Sequence, residues 1–142
     1  MGMNSFVNNV ELLHKALDVS TLRYQVASNN LANSETPNYK KQYVNFESEL
    51  ARAFKSRDND SEAFHMTVTD ERHIPSAQPK DWREVEPRRV TDYLTTAKAN
   101  GNNVDAEEEA MNVVQIQMQY ELLTRMMNFE FSQVKTAMQK LG

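Results

Sequence analysis

The side chains with the widest chemical scope in this chain are three histidines, His14, His65 and His73, and 20 acidic residues. Paired metal ligands on a helix sit at i and i+4, and no two of the histidines have that spacing. Glu107, Glu108 and Glu109 are the densest acidic run. They read as helix-end electrostatics, because a first helical turn favours negative charge, and not as a metal site. No serine or threonine stands in a nucleophile elbow, and no acid stands in a catalytic motif. Cysteine is absent, which excludes disulfides and thiolate metal sites. The three glycines, Gly2, Gly101 and Gly142, form no phosphate-cradling loop. The expectation is a non-enzymatic protein with no catalytic residue, no cofactor and no metal.

The remaining bounds agree with that. A chain of 142 residues is one modest domain's worth. Its formal net charge of −4 is spread along the sequence, so nucleic acid is not an expected partner. No small-molecule substrate is expected either. No apolar run approaches the roughly 20 residues of a membrane-spanning helix. The N-terminus lacks a basic segment followed by an apolar one, so no cleaved signal is expected. The apolar residues gather at the two ends of the chain.

The N-terminal segment from Ser5 to Ala32 carries a heptad seam. Phe6, Val10, Leu13, Leu17, Ser20, Tyr24, Ala27 and Leu31 follow one another at alternating steps of four and three, which places them on one helix face. Val7, Ala16, Val19 and Val26 widen it. Asn4 or Ser5 is expected to cap the start. Pro37 bars helix at Thr36, and Asn38 tolerates a left-handed turn, so the helix stops at Asn33 to Tyr39.

The C-terminal segment begins after Asn103. Asp105 is the expected N-cap, with Glu108 three residues on as in a capping box. The seam then runs through Ala106, Ala110, Val113, Gln117, Tyr120, Thr124, Met127, Phe131, Val134, Met138 and Leu141. Val114, Met118, Leu122, Met126 and Phe129 form a second stripe. The methionines read as core packing, and the arc is wider than one partner helix needs. Between the ends lies a polar stretch holding Pro75, Pro79 and Pro87. A short helix is expected at 46–54 and a short strand at 65–69. The rest is an extended, weakly packed excursion, because its apolar content alone cannot offset the entropy of ordering a core.

The fold class predicted is mainly α: long terminal helices forming a coiled-coil hairpin or an assembly core, with an irregular middle that has room for a small β-hairpin. The expected division is 1–36 for the first assembly helix and turn start, 37–103 for the middle, and 104–142 for the second assembly helix. Apolar stripes left uncovered mark interaction surfaces. Heterologous contacts that do not close make helical filaments. The candidate assembly residues are Leu13, Leu17, Tyr24, Leu31, Val113, Tyr120, Met127, Phe131 and Val134. A soluble coiled-coil adaptor or chaperone of a secretion system is the competing class.

Two motifs sharpen the choice. Asn29 to Lys40, with Asn30, Asn33, Thr36, Pro37, Asn38 and Tyr39 as its turn positions, resembles the signature of flagellar rod, hook and hook-associated proteins. Asn38 stands where that family usually has glycine. Gly101-Asn102-Asn103-Val104-Asp105, then Glu107, Glu109, Gln119 and Tyr120, is similar to the C-terminal helix opening of its short proximal rod members, and His73-Ile74-Pro75 resembles a short motif in the middle of those members. The resemblance covers both ends fully and the middle thinly. It implies a structural subunit of the basal-body proximal rod, polymerising through its terminal helices into the drive shaft and the wall of the export channel. It implies as partners the chain itself, other proximal rod proteins, the ring-to-rod adaptor protein, the inner-membrane ring and the type III export apparatus. It places the protein in the periplasmic rod, exported without a cleaved signal.

Overall fold

The computed structural model describes residues 2–60, 81–95 and 98–139. The elements run in the order α1 (Gly2–Ala32), β1 (Gln42–Asn45), α2 (Glu47–Asp60), a 3-10 turn (Trp82–Glu84), β2 (Arg88–Thr91) and α3 (Ala106–Gln139). The fold is mainly helical, and β1 and β2 form a two-stranded antiparallel sheet. The chain divides into two compact units, one of residues 1–44 and 89–142 and one of Asn45–Arg88. Residues 37–44 and 89–103 thus cluster with the long helices.

In the first unit α1 packs against α3. Asn4 and Ser5 lie inside α1, which begins at Gly2. At the start of α3, the Asp105 Oδ1 accepts from the backbone N–H groups of Glu107 at 2.9 Å and Glu108 at 3.3 Å. This satisfies two of the donors that a helix start leaves unpaired. The Glu108 carboxylate turns to Lys41 Nζ, 2.9 Å away, where the capping box expects it to face Asp105. An ammonium offers a charged partner in place of a neutral amide, and charge-assisted contacts are the stronger ones.

The helices are antiparallel and in heptad register. Asn9 Nδ2 donates to Glu130 Oε1 at 3.2 Å, and Asn30 Nδ2 reaches Glu109 Oε2 at 3.4 Å. The two contacts lie 21 residues apart on each helix, which is three heptads with no slip. Phe6 and Phe131 meet edge to face, with ring centroids 5.9 Å apart.

Half of the predicted α3 seam sits differently. Ala110 and Gln117 are exposed, while Glu109 and Ile116, each one residue earlier, are buried. Leu123 and Glu130, half-buried, continue that line. The line is hard to see in the sequence because two of its four members are glutamates, so an apolar pattern selects its neighbours.

The second unit holds α2 and the 3-10 turn. The short helix expected at 46–54 is present as α2 and runs on to Asp60. Phe46, Ala53, Trp82 and Val85 are buried. Phe54 stacks on Trp82 at 6.3 Å, and the Arg83 guanidinium lies 4.7 Å from the centre of the Trp82 ring. Asp81 Oδ1 caps the 3-10 turn by accepting from Arg83 N at 3.0 Å. A small core therefore stands where the sequence predicts a weakly packed excursion, and large rings supply much of its area. The strand expected at 65–69 and the His73-Ile74-Pro75 motif lie outside the described residues.

Ile116 is 5% exposed and Met118 is 67% exposed, two residues apart and on opposite sides of α3. Ile116→Ala is expected to destabilise the isolated chain by about 2–3 kcal/mol through lost transfer energy and a residual cavity. Met118→Ala should change it by less than about 0.5 kcal/mol. Denaturant titration of dilute protein checks this, and equal losses for both would overturn the assignment of the inner line.

Candidate assembly site

The first helix ends in a turn that its own residues cannot complete. Thr36 N donates to Asn33 O at 3.0 Å, and Thr36 Oγ1 to Asn33 Oδ1 at 3.3 Å. Pro37, five residues beyond the helix end at Ala32, keeps Thr36 out of the helical region, and Asn38 adopts φ 60, the left-handed region that asparagine tolerates. The last carbonyls of α1 are met locally, Asn29 O and Asn30 O by Asn33 N and Leu31 O by Ser34 N. Those of the turn beyond it find partners from across the sequence. Asn102 Nδ2 lies 2.9 Å from Asn33 O, 3.1 Å from Ser34 O and 2.8 Å from Thr36 O, so its two hydrogens are shared among three carbonyls. Lys98 Nζ donates to Ser34 O at 2.8 Å.

The opposing loop is shaped to fit. Asn38 N donates to Asn100 O at 3.0 Å, and Gly101 has φ 79. That positive φ disfavours any residue with a Cβ, which would also stand 2.6 Å from the side-chain Oδ1 of Asn38. Asn102 Oδ1 accepts from Val104 N at 2.7 Å, which carries the chain into α3.

Beneath this cap lies a buried polar cluster. Asn30 is 1% exposed and uses both ends of its amide on one residue. Its Oδ1 accepts from Gln42 N at 3.0 Å, and its Nδ2 donates to Gln42 O at 2.7 Å. It thus pairs with Gln42 as a neighbouring strand would. Tyr39 Oη donates to the same Oδ1 at 3.3 Å, which packs Tyr39 back onto the end of α1. Asn103 Oδ1 accepts from Lys41 N at 2.6 Å, and its Nδ2 donates to Asp92 O at 2.9 Å. Glu109 is fully buried, and its Oε1 lies 2.8 Å from Lys41 Nζ. That contact is an ion pair without hydrogen-bond alignment at the oxygen. A buried carboxylate requires such a counter-charge.

The cluster raises the pKa of two of its members. Burial lowers the Lys41 pKa, but the Glu109 and Glu108 carboxylates together outweigh it and leave the ammonium above its ordinary 10.5. Burial, with the Glu109 charge beside it, pushes the Tyr39 hydroxyl above 10.0.

The candidate assembly residues fall into two groups. Leu13, Leu17, Leu31, Val113, Met127 and Val134 are half-buried, whereas Tyr24, Tyr120 and Phe131 are exposed. Facing away from α1, α3 presents Met111, Val114, Met118, Leu122, Met126 and Phe129, each between 47% and 75% exposed. A contiguous apolar face of this extent marks an interaction site. Among the described residues no group of histidines and acids is arranged to hold a metal ion, and no helix is long and apolar enough to cross a membrane. The pattern of residues passes over Lys41 and Ile116, marks Asn102 only as a motif position, and reads Glu109 as a motif position and as helix-end charge. A bond between Asn102 and Asn33 spans 69 residues, and no local signal announces it.

No protein-family model matches the chain. Several named proteins are similar to it along nearly the whole length. The flagellar basal body rod protein FlgB of Borreliella burgdorferi is 37% identical over 132 residues, covering 93% of this chain and 96% of that protein. The protein of the same name from Bacillus subtilis is 31% identical over 136 residues, covering 96% and 97%. That of Proteus mirabilis is 26% identical over 136 residues, covering 96% and 95%.

Lys41 and Tyr39 hold their protons more tightly in the folded chain than in the unfolded one. The stability that follows is full below about pH 10 and drains away as pH climbs through the raised values. The denaturation midpoint is therefore expected to fall above about pH 10, and to fall less steeply in Lys41→Met. A parent midpoint that stays level or rises in that range would contradict the cluster as described.

Proposed function

The chain belongs to the family of the flagellar basal body rod protein FlgB, whose members are structural rod subunits, and from that premise we propose that it polymerises through its terminal helices into the proximal rod. In that role it serves as part of the drive shaft and of the wall of the export channel. The observation that carries this reading is the uncovered apolar face of α3. α1 covers only one side of α3, and the Met-rich remainder gains free energy when neighbouring subunits cover it. Contacts of this kind between unlike surfaces propagate as a helix rather than close into a ring.

The partners proposed are further copies of the chain, other proximal rod proteins, the ring-to-rod adaptor protein with the inner-membrane ring, and the type III export apparatus. The site of action is the basal body, with the rod in the periplasm and the chain exported without a cleaved signal. No catalytic role is proposed. A coiled-coil adaptor would need one covering helix, whereas the exposed residues of α3 wrap more of its circumference than one helix covers.

Met118→Asp and Phe129→Asp separate folding from assembly, because both positions are exposed in the single chain. Each variant is expected to keep the parent's helical signal and melting temperature. Each should fail to form rods when it replaces the parent in a rod-deficient strain of the source organism, because assembly would bury an unpaired carboxylate. Electron microscopy of basal bodies gives the readout. Normal rods from both variants would sink the proposal, and discrete dimers of the concentrated parent would favour the adaptor.

A further inference from the structure

Leu94 is 97% exposed and Tyr93 is 75% exposed, at the tip of the loop that leaves β2. Two large apolar side chains in water are costly unless something covers them. The tip is held rather than loose. Asp92 Oδ1 accepts from Leu94 N at 2.9 Å and Thr95 N at 3.2 Å, and Thr95 Oγ1 donates to Asp92 Oδ2. These bonds, that of the Thr95 hydroxyl first, hold the Asp92 carboxyl below its usual pKa. The base of the tip is pinned as well, by Asp92 N to Lys41 O at 2.9 Å and by Asn103 Nδ2 to Asp92 O at 2.9 Å. The loop therefore meets a partner with its ordering entropy already lost.

The same unit carries a socket of matching chemistry. A cavity of about 330 Å³ opens between α1 and α3, lined by Ser20, Thr21, Tyr24, Ile116, Gln117 and Tyr120. Its hydroxyl-bearing wall is already satisfied. Ser20 Oγ donates to Ala16 O at 2.9 Å, and Thr21 Oγ1 to Leu17 O at 3.0 Å. The remaining surface is Ile116, the rings of Tyr24 and Tyr120 and the side chain of Gln117, a largely apolar lining that suits an aliphatic or aromatic side chain better than a polar ligand. Leu94 is the most exposed large apolar side chain among the described residues.

We propose that the Tyr93–Leu94 tip of one copy seats in the α1–α3 socket of a second copy. The proposal deepens the rod-subunit reading and rests on it, by naming one contact through which subunits join. Tip and socket are separate surfaces of one unit. The tip lies beside the start of α3, and Ile116 lies ten residues into that helix, about 15 Å along its axis. A reciprocal pair in which two copies exchange tips would close as a dimer, and the contact proposed is instead the heterologous one. Each copy uses its tip on one neighbour and offers its socket to another, so the contact displaces successive subunits along the axis and does not close on itself.

The absence of cysteine makes the test direct. Full-length Leu94→Cys and Gln117→Cys chains are mixed under conditions where the parent assembles, and are then oxidised. The expected result is a disulfide between the two variants. A chain carrying both substitutions should give a ladder of trimers and longer products. In parallel, Leu94→Ser should leave the melting temperature unchanged and weaken self-association about 10-fold or more. Cross-linking no greater than that of a control pair with Ser132→Cys overturns the inference, as do dimers through Leu94→Cys alone or unaltered self-association of Leu94→Ser. If any of these is seen while the parent still forms rods, the socket contact falls and the rod-subunit reading stands. A parent that never self-associates removes both.

Discussion

The Glu109 carboxylate has no exposed surface, and a charge without water must be answered by its neighbours. Lys41 answers it from the residue just before β1, and Asn30 reaches it from the end of α1. Three parts of the chain that are distant in sequence thus meet on one side chain. α1 and α3 present heptads along their length, and apolar heptads alone tolerate a slide of seven residues. A buried ion pair does not, because any slide would strand the charge. The register from Asn9–Glu130 to Asn30–Glu109 follows from that restriction.

The same restriction governs what the molecule shows to its surroundings. With register and rotation set, the Met-rich stripe of α3 must face outward, and the loop carrying Tyr93 and Leu94 is fixed beside the start of α3 through Asn103 and Lys41. Polar side chains specify the interior of the junction, and flexible apolar ones cover its exterior. That division suits a rod subunit. The exterior contacts must adapt to neighbours of slightly different geometry, and methionine does so at little cost. The interior must hold one shape while those contacts form.

Much of this was legible in the residues themselves. The long helices announce themselves by steps of three and four, and Pro37 with Asn38 marks the stop and turn where the chain leaves α1. The inner line of α3 was not legible, because Glu109 and Glu130 stand in it and read as surface residues. The cap on α1 was not legible either. Asn102 looks like any loop asparagine until its amide is seen against Asn33, Ser34 and Thr36. The core of the second unit depends on Phe54 stacking with Trp82 across 28 residues, which no periodicity encodes. What sequence pattern conveys is the local period, and what it omits is the pairing of isolated polar or aromatic residues over long separations.

The most direct measurement is a double-mutant cycle on Lys41→Met and Glu109→Gln, followed by denaturant unfolding of dilute protein at neutral pH. If the ion pair organises the junction, Lys41→Met alone leaves Glu109 buried and uncompensated and costs about 2 kcal/mol or more. The same change made in the Glu109→Gln background should cost much less, giving a coupling of at least about 1 kcal/mol. Losses that add to within about 0.5 kcal/mol would mean that the two side chains act independently, and would contradict the account.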